Sequence, residues 1–341
     1  MKGPSEPGHV VCFGELLLRL SPDPGTPLDR SDRLDLAVGG AEANVAIALS
    51  SLGLPVAMLS AVADSPTGRR ALAALGEAGV DRQFIRRKAG RMGLYFFEPP
   101  SGPIGGRVTY DRAGSVFALT DPAELDFGAA LKGAGLLHLS GITPALGPAG
   151  VELARAAVNA AAEAGVPVCF DGNYRASLWE AWDSDPRGVL TELVEQATVL
   201  IGNHRDISLL LGTSFSGDGP DRRREASEAA FARFPKLATI ASTARHVESA
   251  TTHGLAARVD QRESHWQTDE VRIAPIVDRI GTGDAFAAGV LLRWMEGASV
   301  QDMAKTGLSL AVMKHGVPGD TIAVTRTELD AFAPAGVDVR R

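Results

Sequence analysis

Cysteine is scarce in this sequence: Cys12 and Cys169 are the only two in 341 residues. A disulfide framework or a cysteine-based metal site needs more of them, at other spacings. Each sits inside an apolar run, HVVCFG or VPVCFD, and reads as a buried strand thiol of a protein from the reducing cytoplasm. Long apolar runs are missing too. None approaches the length of a membrane span, and the opening MKGPSEPGHVV lacks the apolar stretch of a signal peptide. No block of lysine and arginine offsets the net charge of −7, which argues against a nucleic-acid surface. The densest basic run, DRRRE at 221–225, is flanked by acids and reads as an exposed loop or a first helical turn. Gly-Lys-Ser/Thr does not occur, so there is no Walker A loop. Phe286 stands where a dinucleotide fingerprint starting at Gly281 would need its third glycine, and HExxH is absent.

What is present is ordinary for a soluble globular chain: 45% hydrophobic and 22% charged residues, with length enough for a sizeable core. Strand candidates are residues 9–14, 55–62, 135–141, 166–171, 197–202 and 237–242. Ala/Leu-rich helical stretches cover 41–53, 68–80, 150–165, 283–297 and 300–316. That alternation predicts an α/β fold with a parallel sheet covered on both faces. In such sheets ligands collect beyond the carboxyl ends of the strands. Two segments, about 15–38 and 91–118, are strand-like with Pro/Gly turns and no helix. They predict a few antiparallel strands standing off the main sheet as a lid. One domain over 9–330 is expected, with flexible tails at 1–8 and 331–341.

Two motifs carry chemistry. In GTGDAFAAG, Gly281, Thr282 and Gly283 precede Asp284 and a helix. Glycines let backbone N–H groups converge, and the helix adds its positive end, which together make an anion cradle. A carboxylate in that first turn is expected in its ionised form, able to accept a proton. That suits the base of a phosphoryl transfer; the alternative is a glycine turn with a plain helix-start aspartate. In GGAEANVAIALSSLG, Gly39 and Gly40 permit close backbone approach, and Glu42 and Asn44 open a helix whose mouth suits a polyol. A capped Gly-Gly turn is the other reading.

Together, Gly39, Gly40 and Asn44, then Asp278, Gly281, Gly283 and Asp284, resemble the two signatures of the ribokinase-like (PfkB) carbohydrate kinases, over residues 10–325. The resemblance implies a three-layer α/β/α sandwich with a mostly parallel central sheet and a small β-strand lid. It also implies ATP and Mg²⁺, Asp284 as general base, the 281–284 backbone as anion hole, and a homodimer through the lid. The stretches FGELLLRLSP, TYDRAGSVFALT, HLSGITPAL, FDGNYRASLW and VDRIGTGDAFAAG resemble the 2-dehydro-3-deoxygluconokinases of that family. For these the acceptor is a sugar acid, and Gly40, Tyr95, Tyr110, Asp111, Arg112 and Arg175 would line its pocket. An acid held by a chain of net charge −7 needs local arginine; each arginine alone also reads as a surface ion pair. A neutral sugar, as in fructokinase or ribokinase, and a non-catalytic sugar-binding module remain the alternatives.

The nucleotide side follows the family less closely. In IGNHRDISLLLG, Asn203 and Asp206 match a stretch that holds water on Mg²⁺, with an aspartate in place of the family's glutamate. In ASTARHVESA, where relatives carry lysine and glycines in a loop cupping the nucleotide, this chain has Ser242, Thr243 and Arg245 and no glycine. Asn173 joins the expected nucleotide set. Lys314 and His315 in MKHGVPGD either touch the nucleotide or end a helix. A monovalent cation near Asp278 is a further possibility the family raises.

Overall fold

The structure, a computed structural model, describes residues 8–101 and 104–332. The chain opens with β1 (His9–Phe13) and leaves at once for β2 (Leu17–Ser21) and β3 (Asp35–Gly39). A glycine pair turns it into α1 (Ala41–Ser51), followed by β4 (Val56–Ala63), α2 (Pro66–Glu77) and β5 (Ile85–Lys88). It returns outward as β6 (Gly93–Glu98) and β7 (Arg107–Asp111). Next come α3 (Phe127–Leu131), β8 (Ala134–Ser140), α4 (Ile142–Ala145), α5 (Pro148–Ala164) and β9 (Val168–Asp171). Then follow α6 (Ala176–Trp179), α7 (Pro186–Val194), β10 (Val199–Ile201), α8 (His204–Leu211) and α9 (Gly219–Arg233). An edge of β11 (Thr239–Ser249), β12 (Thr252–Gln261), β13 (His265–Gln267) and β14 (Val271–Ile273) precedes α10 (Thr282–Met295), α11 (Val300–His315) and α12 (Arg326–Asp330).

The main sheet runs β13-β12-β11-β10-β9-β8-β1-β4-β5, with β14 also on β12. From β5 to β11 every pairing is parallel. The central strands show why: β1 from Val10 on and all of β4 are buried, as strands covered on both faces must be. Asp171, Ile201 and Ala241 stand in register across β9, β10 and β11, so their successors share one carboxyl edge.

Three details differ from the sequence expectation. The stretch 241–250 is not a loop: β11 continues through Ser249, paired antiparallel with β12. β12 itself carried no clear signal, because buried Arg258 and Asp260 interrupt its apolar run and pair with each other, Nε to Oδ2 at 2.7 Å. Arg224 of the basic run, in the early turns of α9, turns inward to join them at 3.1 Å. Thirdly, the small sheet, order β3-β2-β6-β7, is not wholly antiparallel: β2 and β6 pair in parallel. No hairpin links those two; the chain reaches β6 only after the α1–β5 excursion.

Most of the two expected tails, at 1–7 and 333–341, lies outside the described residues. No helix among the described residues is long and apolar enough to cross a membrane. Both cysteines are free and buried.

Candidate active site

The GTGD turn uses its two glycines for different purposes. Gly281 is the N-cap of α10 at φ 77°, a left-handed conformation that L side chains avoid. A Cβ there would sit 1.8 Å from the Asp320 carbonyl oxygen. Gly283 has neither constraint: nothing lies within 4 Å of where its Cβ would be, and it is exposed. The amides of Gly281, Gly283 and Asp284 have no backbone or side-chain acceptor among the described residues, and that of Thr282 reaches only to Arg279 O at 3.4 Å. Unpaired N–H groups at the mouth of a 14-residue helix form an anion site. The Thr282 hydroxyl is spent locally, donating to Arg279 O at 3.0 Å.

Asp284 is half-buried at the foot of this turn. Its Oδ2 accepts from Asn44 Nδ2 at 2.7 Å, so the two sequence motifs meet in one contact. The ionised form expected from the helix terminus is corrected here. Burial pushes the Asp284 carboxyl up to about 7, against the Asn44 bond and Arg175, with the charges of Glu42 and Asp320 adding to the rise. Desolvation of a carboxylate among other carboxylates outweighs a helix end. The carboxyl of Asp171, at the carboxyl end of β9, is also pushed well up, by burial first and then by the charges of Asp284 and Asp206. Beside them, Glu42 Oε1 and Asn44 Oδ1 are buried acceptors without a hydrogen-bond partner among the described residues.

The glycine pair before α1 is demanded by packing. Gly40 has φ 134° and a Cβ there would meet Glu15 O at 2.3 Å; one on Gly39 would meet Asp320 Oδ2 at 2.0 Å. That Asp320 carboxylate is the hub of a buried cluster. Arg19 Nη1 donates to Asp278 Oδ2 at 2.7 Å and to Asp320 Oδ1 at 3.0 Å, and the Tyr95 hydroxyl donates to Asp320 Oδ2. Asp278 also accepts from the amides of Ile280 and Gly319. Its charge is thus met by Arg19 and two N–H groups.

The other lid residues are differently placed. Arg112 is buried, giving Nε and Nη2 to Glu15 Oε2 at 2.9 and 2.5 Å. Tyr110 lies between, its ring 6.3 Å from that of Tyr95 and 5.7 Å from the Arg112 guanidinium. Asp111 is exposed and pairs with Arg91 at 2.7 Å. Arg175 is exposed, with no carboxylate at ion-pair distance among the described residues.

On the nucleotide side, Asn203 and Asp206 cap α8 reciprocally. Asp206 Oδ2 accepts from Asn203 N at 2.8 Å, and Asn203 Oδ1 accepts from Arg205 N at 2.8 Å. Asp206 Oδ1 remains, close beside Gly172. Asn173, at φ 35°, donates its N–H to Asp171 Oδ1 at 3.1 Å. Ser242 and Thr243 are half-buried on β11, with Arg245 exposed further along the strand. Lys314 and His315 depart from the expected nucleotide contact. Both are buried; Lys314 Nζ donates to Val317 O at 2.8 Å and His315 Nδ1 bonds Ala311 O at 2.6 Å. Their place near the end of α11, among its last carbonyls, explains it.

Sequence reasoning passed over Arg19, Glu15, Asp171, Asp320, Arg205 and Arg279. Asp171 had a signal, a carboxylate ending a buried strand; Asp320 had none, being brought in by tertiary packing alone.

A family model described as pfkB family carbohydrate kinase matches residues 8–326. The chain belongs to that family. It is therefore a phosphotransferase with an alcohol group as acceptor, on the ribokinase-like α/β fold. Among relatives of this kinase is the 2-dehydro-3-deoxygalactonokinase of Haloferax volcanii, 34% identical over 97% of this chain and 99% of that one. The 2-dehydro-3-deoxygluconokinase of Bacillus subtilis is 26% identical over 96% and 95%. The crystal structure of the 2-dehydro-3-deoxygluconokinase of Thermotoga maritima superposes with a TM-score of 0.89 at 34% identity, covering 95% of this chain and 98% of that one.

Proposed function

We propose that this kinase transfers the γ-phosphate of ATP to the terminal hydroxyl of a 2-dehydro-3-deoxy sugar acid, 2-dehydro-3-deoxy-D-gluconate being the preferred acceptor and the 6-phosphate its product. The carrying observation is the Asn44–Asp284 bond at 2.7 Å, set beneath the open amides of residues 281–284. A carboxyl poised near 7 is matched to taking a proton at neutral pH. As Asp284 Oδ takes the hydroxyl proton, the alcohol oxygen attacks the γ-phosphorus, the bond from that phosphorus to the β–γ bridging oxygen breaks and ADP leaves, while the turn's N–H groups stabilise the charge gathering on the phosphoryl oxygens. The unpartnered acceptors Glu42 Oε1 and Asn44 Oδ1 suit the hydroxyls of a polyol. Arg175, and the Nη1 of Arg112 that Glu15 leaves over, suit the carboxylate. Tyr95, Tyr110 and Gly40 complete the acceptor wall in this reading.

No group of three or more acidic, His or Cys side chains able to hold a metal occurs among the described residues. That donor set fits a Mg²⁺ carried in by the phosphates with its water shell, Asp206 Oδ1 and Asn203 ordering those waters. When bound, the metal would neutralise charge between the phosphates. Leu36, Ile104 and Val108, exposed on and beside the small sheet, support a homodimer through the lid. Two free cysteines support a reducing, cytoplasmic setting.

A coupled assay of ADP release over 2-dehydro-3-deoxygluconate, its galactonate epimer, fructose, ribose and a nucleoside tests the reading. The highest kcat/KM is expected on one of the two sugar acids. Preference for fructose or ribose would replace the acid with a neutral sugar, and no ADP release on any would leave a binding module.

A further inference from the structure

Glu15 stands in the short link from β1 to β2, at the carboxyl edge of the main sheet, and it is buried. Its place is built from several sides. A Cβ on Gly93 of β6 would meet its Oε1 at 2.4 Å, and its carbonyl oxygen closes the Gly40 position. Ser115 Oγ donates to Oε1, while Arg112 gives Nε and Nη2 to Oε2 at 2.9 and 2.5 Å. Ser115 is fixed in turn: its Oγ accepts from Ala118 N at 3.2 Å, and its own N–H reaches Arg112 O at 3.2 Å. Gly14, the residue before Glu15, has Glu42 Oε2 2.0 Å from where its Cβ would be. The Glu15–Arg112 pair therefore borders the acceptor side of the site.

The two arginines of that side differ in kind. Arg112 is buried with a carboxylate already bound, and a charge beside its counter-charge leaves only the field of a dipole. What it still offers is Nη1, unpaired among the described residues, as a hydrogen-bond donor. Arg175 is exposed, without a carboxylate at ion-pair distance among the described residues, and keeps its net charge. An acid placed beside the carboxyls of Glu42 and Asp284 needs a cation with charge to spare. We infer that Glu15 sets the acceptor specificity of this kinase by aiming Arg112 and cancelling its charge. Arg112 then meets the acceptor as a hydrogen-bond donor, and Arg175 is the cation that tells a sugar acid from a neutral sugar. This rests on the sugar-acid reading and deepens it.

The test is steady-state kinetics of the full chain on 2-dehydro-3-deoxygluconate and on fructose, scored as the ratio of the two kcat/KM values. Glu15→Gln keeps an oxygen for the guanidinium but removes the counter-charge, which makes Arg112 a second cation. The acid-to-ketose ratio should then rise roughly fivefold or more, through a lower KM for the acid. The double variant Glu15→Gln, Arg112→Met leaves no unpaired buried charge and keeps the question measurable if the single variant does not fold. It should lose kcat/KM on both substrates alike, roughly tenfold, with the parent's ratio kept. A ratio that Glu15→Gln leaves unchanged, both rates falling together, would mark a purely structural pair and overturn the assignment. A double variant whose loss is confined to the acid would overturn it too, because Arg112 would then read charge. If the parent acts on fructose alone, the proposed substrate falls, and the acid is titrated as an inhibitor against fructose. Tighter inhibition of Glu15→Gln than of the parent still supports the role of Glu15; equal inhibition refutes it.

Discussion

At the scale of single residues, the proposed chemistry turns on one carboxylate whose proton affinity is set by its surroundings. Asp284→Asn should cut turnover roughly 10²–10⁴-fold with ATP affinity nearly kept; near-normal steady-state turnover would remove it from the base role. With its carboxyl raised to about 7 by burial, the base is active only when deprotonated, so kcat/KM should climb through neutral pH to an alkaline plateau. The same shift has a stability consequence. The folded state holds a proton that the unfolded chain releases near 3.8, so stability falls as pH rises from there to about 7, and the deficit stays above it. Asp284→Asn should therefore raise the melting temperature at pH 8 and change it little at pH 3, a pattern that differential scanning calorimetry can deny. Arg175→Ala, by the carboxylate argument, should raise KM for the sugar acid far more than for a neutral ketose. Equal losses on both in a kinetic comparison would count against acid recognition.

At the scale of elements, the junction between loop and helix separates structure from function within three residues. Gly281→Ala places a methyl 1.8 Å from a backbone oxygen at φ 77° and should destabilise the fold by several times the roughly 1 kcal/mol of an ordinary glycine replacement. Gly283→Ala meets open space and should leave the denaturation midpoint unchanged or slightly raised, while lowering turnover through intrusion on the phosphate position. Matching midpoints or matching activities for the two would refute that division. The lid is clasped to the body by Arg19 of β2, held between Asp278 and Asp320. Arg19→Met should cost about 3–5 kcal/mol, because two buried carboxylates lose their counter-charge; urea denaturation measures it. These contacts tie the small sheet to the turn that carries Asp284, so lid position and base position are mechanically joined.

At the scale of the whole molecule, an acidic chain gathers the carboxyls of Glu42, Asp206 and Asp284 around Asp171, at the carboxyl edge of its parallel sheet. Association through the small sheet predicts a dimeric mass by light scattering at micromolar concentration, reduced to a monomer by Val108→Glu. A monomeric parent would dismiss the lid interface. Much of this was legible beforehand. The β1, β4, β8 and β10 runs are apolar because a parallel sheet buries both faces, so composition alone marked them, and the GTGD turn announced itself through its paired glycines, of which Gly281 alone is required by backbone geometry. β12 escaped notice because buried Arg258 and Asp260 satisfy each other, a pairing invisible in a hydrophobicity pattern. Lys314 and His315 carried two readings, nucleotide contact or helix end, and are buried; Asp320 carried no signal and holds Arg19 of the small sheet. Local pattern thus determined the strands, the helices and the two motifs, since backbone conformation and apolar periodicity are written over neighbouring residues. The contact of Asn44 with Asp284 and the climb of that carboxyl toward neutrality were decided only by tertiary structure. Desolvation and Coulomb interaction depend on distance in space, and those groups are as far as 240 positions apart along the chain.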